Sequence, residues 1–275
     1  MGPGGKGSNQ ATQAAMLGAN VSFVGAVGRD VFGEIAIENF KKKGIDITYL
    51  MVDETTHTGI ALIMVDDHKG ENMIVVAPGA NTHIDRALID RAKDVIVGAD
   101  VVLMQFEIPL EINEYVLEII RKQPEKPTIV LNPAPAFKVS SKMLDGVDVI
   151  TPNRSEAELI TDTSIEDASD IERAASKLLD MGVKNVVFTL GADGAAIVND
   201  KGMKIVPSFK VNVVDTTGAG DAFNGALGVA LGEGFPLEEA VKFANAAAAL
   251  SVTRIGTAPS MPTREELETF LKGSA

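Results

Sequence analysis

Apolar residues along the chain alternate between short unbroken runs and stretches where they recur every three or four positions. Residues 21–27, 99–106, 128–131, 147–150 and 184–190 are such runs and predict strands. Phe32, Ile35, Ala36, Ile37 and Phe40 lie near helical spacing and stop at Gly44, which predicts a helix there. Helices are likewise expected over 112–121, about 170–181, 222–231, 237–252 and 264–271. This alternation is the pattern of an α/β protein with a largely parallel sheet. Runs as continuous as VVLMQF and NVVFTL suit strands covered on both faces.

One segment breaks the rhythm. Residues 58–65 (TGIALIMV) and 71–77 (ENMIVVA) are β-rich and separated only by the charged turn Asp66-Asp67-His68-Lys69-Gly70. They predict an antiparallel hairpin, 58–77, standing off the main sheet. A lone ribbon is marginal in water, so it is expected to pack on a ligand, another strand pair or a second subunit. No internal repeat and no low-complexity linker divides the 275 residues, and one α/β domain spanning 1–275 with the hairpin inserted is expected.

Composition narrows the chemistry. Without cysteine, thiolate nucleophiles, disulfides and cysteine-bound metal centres are excluded. The net charge of -13 disfavours a general polyanion surface, hence nucleic acid as a partner, so any phosphate must be gripped locally. No apolar run reaches eighteen residues and the first residues lack a signal-peptide core, so a soluble, cytoplasmic protein without membrane contact is expected. His57, His68 and His83 have no ligand spacing and read as surface residues. The ten methionines read as scattered core filling.

The sharpest local signal is Val213-Val214-Asp215-Thr216-Thr217-Gly218-Ala219-Gly220-Asp221-Ala222-Phe223. A strand entering a glycine turn and leaving as a helix gathers free N–H groups and the positive end of a helix dipole, which makes an anion site. Asp221 then has two readings: a helix N-cap, or a general base beside a phosphate held over Gly218, Ala219 and Gly220. The segment lacks the Lys-Ser/Thr of a P-loop, and Phe223 replaces the third small residue of a dinucleotide fingerprint. Near the start, Gly4-Gly5-Lys6-Gly7-Ser8-Asn9 reads as a flexible tail, or as a glycine loop whose Lys6 and Asn9 bind a polyhydroxylated ligand.

Taken with Pro78-Gly79-Ala80-Asn81, Met104-Gln105-Phe106-Glu107, Leu131-Asn132-Pro133-Ala134-Pro135-Ala136, Thr151-Pro152-Asn153-Arg154-Ser155-Glu156 and the segment 252–260, these two loops resemble the signatures of the ribokinase (pfkB) family of carbohydrate kinases. The resemblance runs along essentially the whole chain. It implies a three-layer α/β/α (Rossmann-like) sandwich with a small β-sheet lid, and transfer of the ATP γ-phosphate to the 5-hydroxyl of ribose. Asp221 falls on the family's base, with Gly218, Ala219 and Gly220 as its anion hole. Gly5, Lys6, Gly7, Ser8, Asn9 and Glu107 fall on its sugar side.

The resemblance further implies that Asn153 and Glu156 work with Mg²⁺ and the nucleotide phosphates, although the same pair spells a capping box. Thr189, Leu190, Gly191, Ala192, Asp193 and Gly194 fall on the ATP loop, and Asn245 near the adenine. Asp215, Thr217, Ser251, Arg254, Gly256 and Ser260 fall around a K⁺ site, and a homodimer through the lid is implied. In the family a core strand bearing Asn-x-Asp and further lid structure precede the glycine loop. Residues 1–3 spell neither, so the expectation is a lid reduced to one hairpin and a sugar pocket short of one aspartate. Two alternatives follow: a nucleotide-binding scaffold without productive sugar capture, or a kinase for fructose or a nucleoside.

Overall fold

The computed structural model describes residues 2–65 and 72–274. In chain order the elements are α1 (Lys6–Met16), β1 (Ser22–Gly28), α2 (Val31–Lys42), β2 (Asp46–Asp53), β3 (Ile60–Val65), β4 (Asn72–Ala77), α3 (Arg86–Arg91), α4 (Lys93–Val97), β5 (Val101–Met104), α5 (Leu110–Arg121) and β6 (Thr128–Leu131). They continue with α6 (Ser141–Leu144), β7 (Val149–Ile150), α7 (Arg154–Thr161), α8 (Ala168–Asp180), β8 (Asn185–Thr189), β9 (Ala195–Asn199), β10 (Gly202–Val206), α9 (Ala219–Gly232), α10 (Leu237–Ser251) and α11 (Arg264–Gly273). Among the described residues, no helix is long and apolar enough to cross a membrane.

A six-stranded sheet of order β10-β9-β8-β7-β6-β5 forms the middle layer. Its β5 to β8 portion is parallel, and β9 and β10 run antiparallel. The strands are apolar on both sides because both faces are covered. Ile129, Leu131, Ile150, Val186, Phe188, Ala196 and Val198 face one core with α3, α4, α5 and α8. The alternate residues Val130, Val149, Val187, Ala195 and Ile197 face a second core with α1, α9, α10 and α11. This period-two division is what strand geometry imposes on a continuous apolar run.

Strands β1 and β2 pair in parallel as a separate two-stranded sheet. Among the described residues β1 and β5 each pair on one side alone, so backbone hydrogen bonds do not join the two sheets. Side chains do: Ala11 of α1 packs with Phe40 and Ile45, and Phe23 of β1 stacks on Phe40 at 4.6 Å. On the other face Ala26, Val24 and Met51 join the first core.

The predicted hairpin is present, with Ile60 opposite Ala77 and Val65 opposite Asn72. Ile60, Leu62, Val75 and Val76 are exposed on it. Its turn, including His68, lies outside the described residues. His57 is exposed as expected, whereas the half-exposed His83 pairs with the buried Asp53 at 2.7 Å.

Two expectations are corrected. The segment around Lys6 is neither a tail nor a loop: α1 starts at Lys6 and its Ser8 to Ala14 are buried. A helix-compatible sequence after Gly5 gains its stability from packing on α9, which propensity alone does not reveal. Residues 213 and 214 do not form a strand. Val213 and Val214 are exposed, and the N–H groups of Val214 and Asp215 donate to the Val252 carbonyl at the end of α10 instead of to a sheet.

Candidate functional site

Three helices begin around one cleft beyond the carboxyl ends of β6, β7 and β8, where open α/β sheets place ligands. Lys6 opens α1, Asn153 caps α7 and Gly218 caps α9, and the cleft between them has a volume of about 210 Å³. Its walls include Lys6, Asn132, Asn153, Glu156, Gly220 and Asp221. Such convergence directs several unsatisfied N–H groups and positive dipole ends at one space, which suits an anion.

Gly218 takes φ 81° as the N-cap of α9, a left-handed conformation that glycine adopts without a Cβ penalty. Asp221 is therefore inside the helix, and it does not cap it. Both its oxygens are held from α1: Asn9 Nδ2 donates to Oδ2 at 2.8 Å and Gln10 Nε2 donates to Oδ1 at 3.2 Å. Burial pushes the Asp221 carboxyl up, while Lys6, Asn9 and Gln10 oppose that rise by favouring the charged form. The Ala219 N–H donates to the Thr216 carbonyl at 3.2 Å. Among the described residues the N–H groups of Gly218 and Gly220 have no recorded acceptor and remain available to a phosphoryl oxygen. A buried carboxylate beside free N–H donors can take a proton from a hydroxyl while that hydroxyl attacks an anion held on the same turn.

Glu107, just beyond β5, accepts from the Lys6 N–H at 2.7 Å, and Gly5 lies against its Oε2. Burial raises the Glu107 carboxyl, with the charge of Asp221 adding to the rise and Lys6 opposing it. Gly7 faces the Gln105 amide. Ser8 Oγ and Asn9 Oδ1 are buried without a partner among the described residues, so both can bond a polyhydroxylated ligand.

Asn153 and Glu156 form the capping box that their spacing allowed: the Asn153 side chain accepts from the Glu156 N–H, and Glu156 Oε2 accepts from the Asn153 N–H, each at 2.9 Å. Glu156 nevertheless lines the cleft, and burial raises its carboxyl. A single carboxylate facing a phosphate-sized space fits Mg²⁺, which keeps waters and shares nucleotide phosphates. Among the described residues no group of three or more potential metal ligands occurs.

Thr189 ends β8 at the cleft wall, and Leu190 to Gly194 turn sharply, with the Leu190 N–H donating to the Gly194 carbonyl at 2.8 Å. Asn245 does not offer its amide to that turn. It is buried and donates to the Val206 and Pro207 carbonyls at 3.0 and 3.3 Å, beside Gly194.

The six residues expected around a monovalent cation are neighbours, but most of their polar atoms are engaged. Asp215 accepts from the Thr217 and Gly256 N–H groups, both at 2.9 Å. Ser251 and Ser260 donate to the carbonyls of Ala248 and Thr257. Arg254 pairs with Glu266 at 2.6 Å, which makes it a clamp between α10 and α11.

The family described as pfkB family carbohydrate kinase matches residues 1–264. This chain belongs to the pfkB family. The ribokinase of Haemophilus influenzae is 41% identical to this pfkB chain over 269 residues, which cover 98% of the chain and 87% of the relative. The Thermotoga maritima ribokinase structure matches with TM-score 0.87 at 43% identity, over 98% of this chain and 88% of that one. The Arabidopsis thaliana ribokinase complexed with ribose and ATP matches with TM-score 0.92 at 33% identity, covering 98% and 87%. The three-layer arrangement is thus the ribokinase-like fold, and the chain is of the carbohydrate-kinase type.

Several pfkB site residues escaped the sequence reading as individual contributors. Gln10, Gln105, Asn132, Thr151 and Asn224 form one buried network behind Asp221. Asn224 donates to the Gly220 carbonyl at 2.8 Å and accepts from the Thr151 hydroxyl at 2.6 Å, tying the first turn of α9 to the end of β7. The only available signal was their polarity inside apolar helices and at strand ends.

Proposed function

We propose that this protein transfers the γ-phosphate of ATP to the 5-hydroxyl of D-ribose, giving ribose 5-phosphate and ADP. The observation that carries the reading is the buried Asp221 carboxylate, gripped by α1 on the same helical turn that presents the Gly218 and Gly220 N–H groups. Ribose lies against Gly5, Lys6, Gly7, Ser8, Asn9 and Glu107. Asp221 accepts the proton of the attacking hydroxyl, and the N–H groups of α9 stabilise charge on the transferring phosphoryl group. The helix start and Lys6 supply the local positive potential that the acidic chain as a whole lacks.

ATP lies along the turn from Thr189 to Gly194, with Asn245 setting that wall by holding β10. Glu156 at the cleft wall would help hold Mg²⁺, which would neutralise phosphate charge. The loops at Asp215 to Thr217 and Ser251 to Ser260 would hold K⁺, which would supply positive charge beside the start of α9. The chain acts as one domain in the cytoplasm, and its exposed hairpin face pairs two copies.

A coupled ADP-release assay with ribose, 2-deoxyribose, fructose and adenosine, with and without K⁺, tests this. Deoxyribose is included because a Salmonella typhi deoxyribokinase is 35% identical over 98% of the chain. Ribose-dependent ADP is expected, together with a loss of roughly 10²–10⁴-fold in kcat for Asp221→Asn. Tight ATP binding without sugar-dependent ADP would leave the nucleotide-binding alternative instead.

A further inference from the structure

The network behind Asp221 has a direction. Gln10 is 1% exposed and makes three polar contacts: its Nε2 donates to Asp221 Oδ1 and to Asn132 Oδ1, both at 3.2 Å, and its Oε1 accepts from Gln105 Nε2 at 2.6 Å. Asn132 is fixed in turn, because its Nδ2 donates to the Thr151 carbonyl at 3.3 Å. The Gln10 amide therefore has one satisfied orientation. A flip would face its oxygen to two acceptors and its nitrogen to a donor, in a site where buried polar atoms are costly to leave unpaired. Gln105 is anchored from outside the cleft by Asn113 of α5, whose Nδ2 donates to the Gln105 carbonyl at 3.0 Å.

We propose that Gln10 is a positioning residue for the base: it fixes the plane of the Asp221 carboxylate, and Gln105 sets the direction of the Gln10 amide. Asn9 and Gln10 are consecutive on α1 and take one oxygen each, so rotation about the last side-chain bond of Asp221 breaks both bonds. This role rests on the ribose-kinase reading, in which Asp221 is the base. The donor pair also favours the charged carboxylate against its burial. The other charged groups coupled to Asp221 are Lys6 from α1, which favours the same form, and Glu107 and Glu156 from the neighbouring loop and α7, whose carboxyls the Asp221 charge raises.

The test compares Gln10→Met, Gln105→Met and the double variant in full-length protein. For Gln10→Met, kcat is expected to fall about tenfold or more, with KM for ribose and ATP within about threefold, because one charge-assisted bond is lost and no ligand contact is. The acid limb of the rate profile moves to higher pH. Gln105→Met, which does not touch the base although its side chain lies behind Gly7, moves the limb the same way, and the double variant is no worse than Gln10→Met. The carbon-13 carboxyl signal of Asp221, assigned with Asp221→Asn, gives a readout independent of turnover: its titration rises in both single variants. An unchanged Asp221 titration and kcat in Gln10→Met, or in Gln105→Met should the first variant not fold, overturns the proposal. If the parent protein fails to phosphorylate ribose while the titrations shift as expected, the functional reading fails and the positioning of Asp221 stands.

Discussion

Replacing Gly225 by alanine tests whether the packing of α1 on α9 controls the Asp221 carboxylate. Gly225 lies one helical turn beyond Asp221, on the face that meets α1. A Cβ there would stand 2.6 Å from the Gln10 carbonyl oxygen and 2.7 Å from Gln13 Cβ. Reaching an ordinary contact of 3.4 Å requires the helices to part by about 0.8 Å. The two bonds to Asp221, now 2.8 and 3.2 Å, then stretch to about 3.6 and 4.0 Å, outside hydrogen-bonding range.

Overpacking of this kind costs about 1–3 kcal/mol, offset by roughly 0.5–1 kcal/mol from removing a glycine inside a helix. The net loss of about 1 kcal/mol lowers Tm by about 2–4 °C in a chain of this size. The misplacement lowers kcat by about 10²-fold, far more than the stability loss alone accounts for. Scanning calorimetry and the coupled ADP assay measure the two effects. Gly232→Ala on the same helix is the control, since its Cβ meets Val101 at an ordinary 3.4 Å, and it is expected to keep both Tm and kcat. A Gly225→Ala protein with parental Tm and kcat would refute the argument.

Asn153→Ala removes the cap of α7 and frees Glu156; it is expected to cost about 1 kcal/mol in urea unfolding and to raise KM for ATP with little change in KM for ribose. The pH dependence of kcat/KM should show an acid limb above the ordinary aspartate range, since burial raises Asp221 and its base form is lost as pH falls through that raised value. Stability follows the same groups. Asp221, Glu107 and Glu156 bind protons more readily folded than unfolded, so acidification from neutral pH through their raised values adds stability. Below about pH 4 the sign reverses. Asp53, held far below the usual carboxylate range by Thr55 and His83, keeps its charge when folded and withdraws its contribution as the unfolded chain takes up protons. Urea midpoints at pH 7, 5 and 3 are expected to peak at 5.

The buried strands of the main sheet were legible because a strand covered on both faces must be apolar along its buried length, as residues 129–131 and 186–188 are. Strands β2, β9 and β10 were not. The half-exposed β2 and β10 carry mixed residues, and β9, although buried, is a short run led by two alanines, so nothing local states that they pair. Helix α1 was hidden because its buried face is polar: Asn9, Gln10, Thr12 and Gln13 read as solvent-facing until Asp221, Asn132 and Pro262 are brought against them by tertiary contacts. The same hidden face explains the site. Asp221 and Glu107 were legible as carboxylates in suggestive positions, but excluding a cap role for Asp221 required knowing that Gly218, two residues after Thr216, caps the helix and that α1 supplies the partners.

The separation of β1 and β2 from the main sheet has a dynamic consequence. A hydrogen-bonded ladder transmits load continuously, whereas side chains from α1 and from Ala26 and Val24 join these two sheets as a detachable seam. The smaller sheet with α2 can open as a unit at lower free energy than β6 to β8, and its amides will exchange with solvent first. Ala11 and Ala15 of α1 line this seam, while Ala14 and Leu17 hold α1 in the second core, so the helix that carries Asn9 and Gln10 stays with the main sheet.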